Sequence, residues 1–151
     1  MAFYRKIQDT NQNNMDIENI RQYCLQKLHT TEEFPFDDVT LVFKVAGKMF
    51  ACLPLNKPEK LVLKCNADYA VELRDKYSAI EPAWHFNKRH WNAITLNGDL
   101  AASFIYRQIY NSYILVINKN VTPRALRLEI TAAVKEYEAN NTDVAVCDND
   151  L

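Results

Sequence analysis

The sequence predicts an α+β domain of two layers, an antiparallel β-sheet packed against helices, and three observations carry that expectation. The run "VTLVFKVAGKMFACL" sets β-branched and aromatic residues on both sides of Ala46-Gly47, the signature of a hairpin. Helical periodicity lies before and after this sheet-forming region and does not alternate strand by strand with it. The chain has only 2 glycines, Gly47 and Gly98, and both fall at predicted turns, so no glycine-rich phosphate loop of a parallel nucleotide-binding sheet is present.

Residues 1–15 are polar and read as an N-terminal arm, and the domain is expected over 16–138. From Asp16 to His29, Ile17, Ile20, Cys24 and Leu28 recur at spacings of three and four, which predicts an amphipathic helix. "TTEEFPFDD" mixes acids, aromatics and a proline and reads as an irregular entry into the sheet. In the first strand Leu41, Phe43 and Val45 share one face, with Thr40, Val42 and Lys44 on the other. After the two-proline loop "PLNKPEK", the run "KLVLKC" predicts a third strand. Its Leu61, Leu63 and Cys65 turn inward, opposite Val62 and Lys64. Asn66 is a candidate N-cap for a helix over Ala67 to Lys76 that lines one side with Ala70, Leu73 and Tyr77. "HWNAITLNGD" predicts a strand ending at the Asn97-Gly98 turn. Asp99 then reads as the cap of a long helix to about Ile117, with Leu100, Phe104, Ile105 and Ile109 buried. Thr122-Pro123 opens an additional helix over 123–138, and 139–151 form an acidic tail expected to be flexible.

With 151 residues, 48% hydrophobic and 25% charged, the chain has the composition of one globular domain. The polar N-terminus lacks a secretory signal and no apolar run is long enough to span a bilayer, so a cytoplasmic location is expected, with no membrane partner. Cys24, Cys52, Cys65 and Cys147 lack paired spacing, which suits free thiols in a reducing compartment. Neither a metal nor a cofactor is expected; only His85 and His90 approach ligand spacing.

Net charge is −1, so attraction to a polyanion requires a local patch. One is available in sequence. Lys44, Lys48, Lys57, Lys60 and Lys64 face a single acid, Glu59, over positions 44–64, and "PAWHFNKRHWN" adds His85, Asn87, Lys88, Arg89 and His90 in a stretch free of acids from Pro82 to Gly98. These residues could grip phosphates; exposed lysines on a sheet equally prevent edge pairing and aid solubility. For the second stretch the structural reading has Asn87 and Asn92 tying the chain to neighbouring backbone while Trp91 fills the core beneath the helices. Trp84 and Trp91 offer faces on which unpaired bases could stack.

No catalytic residue is expected. His90 as a base and Cys65 as a nucleophile are the candidates to weigh, but Cys65 falls where the strand turns inward, which predicts an inert thiol. The adjacent acids Glu32-Glu33 and Asp37-Asp38 read as solvated loop residues. Tyr106, Tyr110 and Tyr113 form a stripe on the long helix that could pack on the sheet or serve a partner.

The runs "EEFPFDDVTLVFKVAGKMFACL", "LKCNADYAVELRDKY", "HFNKRHWNAITLNGD" and "SYILV", in this order and spacing, closely resemble the MmcQ/YjbR family over about 16–118. The resemblance implies a frataxin-like (CyaY-like) or double-wing fold, and the double-wing likeness implies DNA binding. The expected function is therefore non-catalytic contact with duplex DNA through a basic sheet face. The alternative is a non-enzymatic module for a protein or small ligand.

Overall fold

The computed structural model describes residues 16–141, so the arm over 1–15 and the acidic residues from 142 onward lie outside the described residues. The described elements, in order, are α1 (Ile17–Gln26), β1 (Thr30–Glu33), β2 (Thr40–Val45), β3 (Lys48–Pro54), β4 (Lys60–Lys64), α2 (Ala67–Lys76), β5 (Ile80–Pro82), β6 (Trp91–Thr95), α3 (Ala102–Asn120) and α4 (Arg124–Asn140). The six strands form one antiparallel sheet in the order β1-β2-β3-β4-β6-β5. This is the two-layer α+β architecture expected from the sequence.

Alternation along the strands decides what each face meets. Leu41, Phe43, Val45, Leu61, Leu63 and Ile94 point into the main core, where they meet Ile17, Ile20 and Cys24 of α1 and Ile105, Ile109 and Tyr113 of α3. The opposite face carries a second, smaller apolar cluster of Val42, Cys52, Val62, Ala83, Trp91 and Ala93, with Met49 and Phe86 packed on it. Trp91 thus lies on the face away from the helices, not beneath them. The reason is register: Trp91 pairs with Lys64 and Ala93 with Val62, so both tryptophan and alanine project to the open side.

Two strands escape the pattern reading because they are edges. β1 consists of Thr30, Thr31, Glu32 and Glu33 and pairs with β2 from Thr30↔Val45 to Glu33↔Val42. Its side chains bond laterally instead of burying: Glu32 takes a fork from Arg21 at 2.7 and 2.6 Å, and Glu33 pairs with Lys44. β5 has three residues and ends in a proline, as suits an edge with no partner beyond it.

Caps show the same mixture. Asn66 accepts from the Asp68 and Tyr69 N–H groups, as its sequence position predicts, and Asp16, not singled out from the sequence, caps α1 by accepting from the Asn19 N–H at 2.8 Å. Asp99 does not cap α3, which begins at Ala102 without a side-chain cap; residues 99–101 cross from the sheet to the helix layer, with Leu100 packing on the core. The last helix starts one residue later than Pro123, again without a side-chain cap. The tyrosine stripe faces α1, the core and α4 together: Tyr106 stacks on Tyr23 at 4.3 Å, Tyr113 meets Phe50 edge-on at 5.3 Å, and Tyr110 donates to Glu138 at 3.0 Å.

The β2–β3 turn has Ala46 at φ 49 and Gly47 at φ 81, both left-handed, which is the two-residue hairpin geometry that matches strand twist. An alanine pays a steric penalty in that region that glycine does not. Ala46→Gly is expected to raise stability by about 1 kcal/mol in urea titrations with an unchanged slope.

Candidate functional site

The open face of the sheet is concave, with a groove of about 590 Å³. Its floor follows from register. Val42 pairs with Cys52, Cys52 with Val62 and Val62 with Ala93, so four small side chains stand in one row across four strands. Continued outward, the same row ends in Glu33 on β1 and Glu81 on β5. An apolar trough bracketed by two carboxylates results. Each carboxylate is met by a lysine of another strand: Glu33 by Lys44 of the adjacent β2, and Glu81 by Lys60 of β4, reaching across β6, at 3.3 Å, with Lys60 also donating to Thr95 of β6 at 2.9 Å.

Two irregular segments wall the trough. On one side, Asp37 accepts from the Val39 and Thr40 N–H groups at 2.9 and 2.7 Å and from the Thr40 hydroxyl at 3.0 Å, and these bonds, the Val39 N–H foremost, hold its carboxyl below the ordinary aspartate range. The local structure they fix carries Phe36, which is 66% exposed. That contribution is present above the ordinary carboxylate pKa and is lost only as pH falls through the depressed value. On the other side, residues 83–90 make two tight turns, closed by Phe86 N–H to Ala83 O and His90 N–H to Asn87 O, each at 3.0 Å. Asn87 accepts from the Arg89 N–H at 3.1 Å, which accounts for asparagine at that place. Phe86 packs on Trp91 at 5.4 Å, whereas Trp84 projects outward, 62% exposed, with the Lys88 ammonium 4.2 Å above its ring.

Arg74 of α2 pins this second wall from behind. Its guanidinium donates to Asn92 Oδ1 at 2.6 Å, to Trp91 O at 3.5 Å and to Lys88 O. No motif flagged Arg74, because its partners are two backbone carbonyls and an amide that only the fold brings near. Asn92 is therefore tied to a side chain of the helix layer, not to neighbouring backbone.

The basic residues singled out from the sequence do not form one stripe. Lys44 and Lys60 are counterions to the carboxylates of the trough. Lys57 and His85 line the groove. Lys64 sits at the far end of β4, about 13 Å from Lys60 by strand rise, and donates to Asn120 of α3 at 2.7 Å. There it lines a second recess with Arg89, His90 and Lys119. Lys48 is exposed at the start of β3 beside the hairpin turn. The residues that sequence reasoning missed are Phe36, Met49, Cys52 and Ala93. A signal existed: Val42 and Val62 occupy the supposedly wet face, and an apolar residue repeated there on adjacent strands means that face is partly covered.

Burial pushes the Cys52 thiol up to about 12 and the Cys65 thiol up to about 11. Less thiolate is present at neutral pH than in a free cysteine by roughly two powers of ten for Cys65. In a Cys147→Ser background, alkylation at pH 7 is expected to run roughly a hundredfold or more below a peptide thiol; alkylation at peptide-like rates would revive the nucleophile reading. Among the described residues no group of three His, Cys, Asp or Glu side chains could hold a metal ion, and no helix is long and apolar enough to cross a membrane.

An α+β domain with helices on one face of an antiparallel sheet and a walled groove on the other is the class this geometry defines. The chain belongs to the YjbR family, whose sequence pattern matches residues 25–115. It is 32% identical over 106 residues to the uncharacterized protein YjbR of Escherichia coli K12, covering 69% of this chain and 89% of that one. Among solved structures it is similar to a Deinococcus radiodurans protein with a DUF419 domain, with TM-score 0.72, 36% identity, and coverage of 77% of this chain and 88% of the other. A Pseudomonas syringae protein aligns with TM-score 0.58 and 28% identity over 67% of this chain and 98% of its own.

Proposed function

We propose that this protein is a non-enzymatic, cytoplasmic binding module that holds an apolar-bodied small molecule in the groove on the open face of its sheet. The observation that carries this reading is the row of small side chains from Val42 to Ala93, walled by the projecting rings of Phe36 and Trp84. A volume of about 590 Å³ with an apolar floor and polar groups at the rim falls in the range of sites for drug-sized ligands. Lys57, Asn56 and His85 at the margin supply orientation. Three free thiols among the described residues accord with a reducing compartment. The protonated thiols at positions 52 and 65, and the pairing of Glu33 and Glu81 with Lys44 and Lys60, support binding without catalysis.

Equilibrium binding of the neutral probe N-phenyl-1-naphthylamine tests this. Binding should saturate, change little with salt, and weaken by about tenfold or more in Phe36→Ala/Trp84→Ala, since exposed aromatic anchors carry such contacts while contributing little to folding. Unchanged affinity in that double variant rejects the groove.

A second reading, contact with duplex DNA of little sequence preference, is favoured by the convergence of Lys64, Arg89, His90 and Lys119 on one recess. Among the described residues Lys48, Lys57, Lys88 and Arg89 have no carboxylate partner within ion-pair distance. Their spread around an apolar trough, with Glu33 and Glu81 at its ends, is why this reading comes second. Under it, oligonucleotide affinity falls steeply with salt and Lys88→Ala/Arg89→Ala weakens all sequences alike.

A further inference from the structure

On the helix side of the sheet, between β4, β6, α2 and α3, lies a chamber of about 120 Å³ distinct from the groove. Two buried primary amides line it, Asn92 of β6 at 2% exposure and Gln108 of α3 at 5%. In both, the amide nitrogen has no hydrogen-bond partner among the described residues. The orientation of Asn92 is fixed, because its Oδ1 accepts from Arg74 at 2.6 Å and leaves Nδ2 to donate elsewhere. Burying one such donor unpaired costs about 1–3 kcal/mol, so two that line one chamber call for an acceptor between them.

The rest of the lining describes that acceptor. Leu63, Leu73, Ile94 and Leu115 supply apolar surface, and Lys64 is the only charged residue among the described residues that line the chamber. Lys64, Cys65, Asn66 and Leu115 also line the adjoining recess, which adds Arg89, His90 and Lys119 against one acid, Asp68. An anion approaching through that recess meets net positive charge and then two amide donors. We propose that the chamber binds a short organic carboxylate, its oxygens accepting from Asn92 Nδ2 and Gln108 Nε2 and its alkyl part packing on the leucines. A cavity of about 150 Å³ accommodates benzene, which limits the ligand here to about six non-hydrogen atoms.

The test is a titration of the full chain with sodium butyrate, followed through the side-chain amide signals of Asn92 and Gln108 in nitrogen–proton correlation spectra, with sodium chloride as the ionic control. Saturable shifts at both amides, weakened about tenfold in Gln108→Met while the melting transition is retained, are expected. Butyramide, of the same shape without the charge, should bind more weakly. Shifts that chloride reproduces, affinity unchanged in Gln108→Met, or butyramide binding as tightly as butyrate would each overturn the assignment. So would a crystal grown in saturating butyrate whose amides bond only to ordered water. Should Gln108→Met fail to fold, Lys64→Met serves in its place, with a weakened butyrate affinity expected and an unchanged one overturning the proposal.

Discussion

Arg74→Met is expected to destabilise the protein by about 2–3 kcal/mol and to loosen the wall that carries Trp84. The methionine keeps most of the aliphatic stem but removes donors to Asn92 Oδ1, Lys88 O and Trp91 O. Asn92 is nearly inaccessible to water, so its carbonyl would be stranded beside an amide nitrogen already without a partner among the described residues. Arg74→Lys should rescue little, because a single ammonium cannot reproduce a planar fork reaching an amide and two carbonyls. Hydrogen exchange at the backbone of residues 86–92 should rise together with the loss of stability. Full rescue by lysine would mean that charge alone, not fork geometry, fixes this wall.

Ser112→Ala is expected to cost about 2–4 kcal/mol, a large effect for removing one oxygen. The reason lies in the β3–β4 pairing, which holds at Ala51↔Leu63 and Cys52↔Val62 and stops there. The next pair in register would be Phe50 with Lys64. Instead, the Ser112 hydroxyl of α3 stands between them, donating to Phe50 O at 2.6 Å and accepting from the Lys64 N–H at 3.0 Å. Ser112 is fully buried, so no solvent replaces those bonds. Its loss would leave two main-chain groups unpaired, each worth about 1–3 kcal/mol. A stability change below about 0.5 kcal/mol in urea titrations would show that the strands close up and pair directly, and would contradict the bridging role.

These two residues also mark the boundary of what the sequence discloses. Periodicity of two located β2, β3, β4 and β6 because each buries a side on the helices, and periodicity of three and four located the helices for the same reason. β1 and β5 left no such trace: β1, made of threonines and glutamates, is stabilised by lateral partners and not by burial, and β5, Ile80-Glu81-Pro82, is too short to show a period. The groove was half legible. Val42 and Val62 hinted at a covered second face, yet which residues share a row depends on pairing register, and that is set by contacts across strands. Lys44 and Lys60 read as free cations because their carboxylates, Glu33 and Glu81, are 11 and 21 positions away in sequence and adjacent only across the sheet. Arg74 and Ser112 were silent for a related reason: neither belongs to a motif, and each acts by reaching main-chain atoms of a distant strand.

The most direct test of a ligand groove on the open face is methyl and amide shift mapping of the full chain during separate titrations with N-phenyl-1-naphthylamine and a duplex oligonucleotide. Saturating shifts at the Val42, Val62, Met49 and Ala93 methyl groups and at the Trp84 indole N–H, with the oligonucleotide leaving these signals in place, are the predicted result. Shifts confined to Lys48, Lys88, Arg89 and His90 on adding the duplex, with the neutral probe moving nothing on the open face, would contradict it.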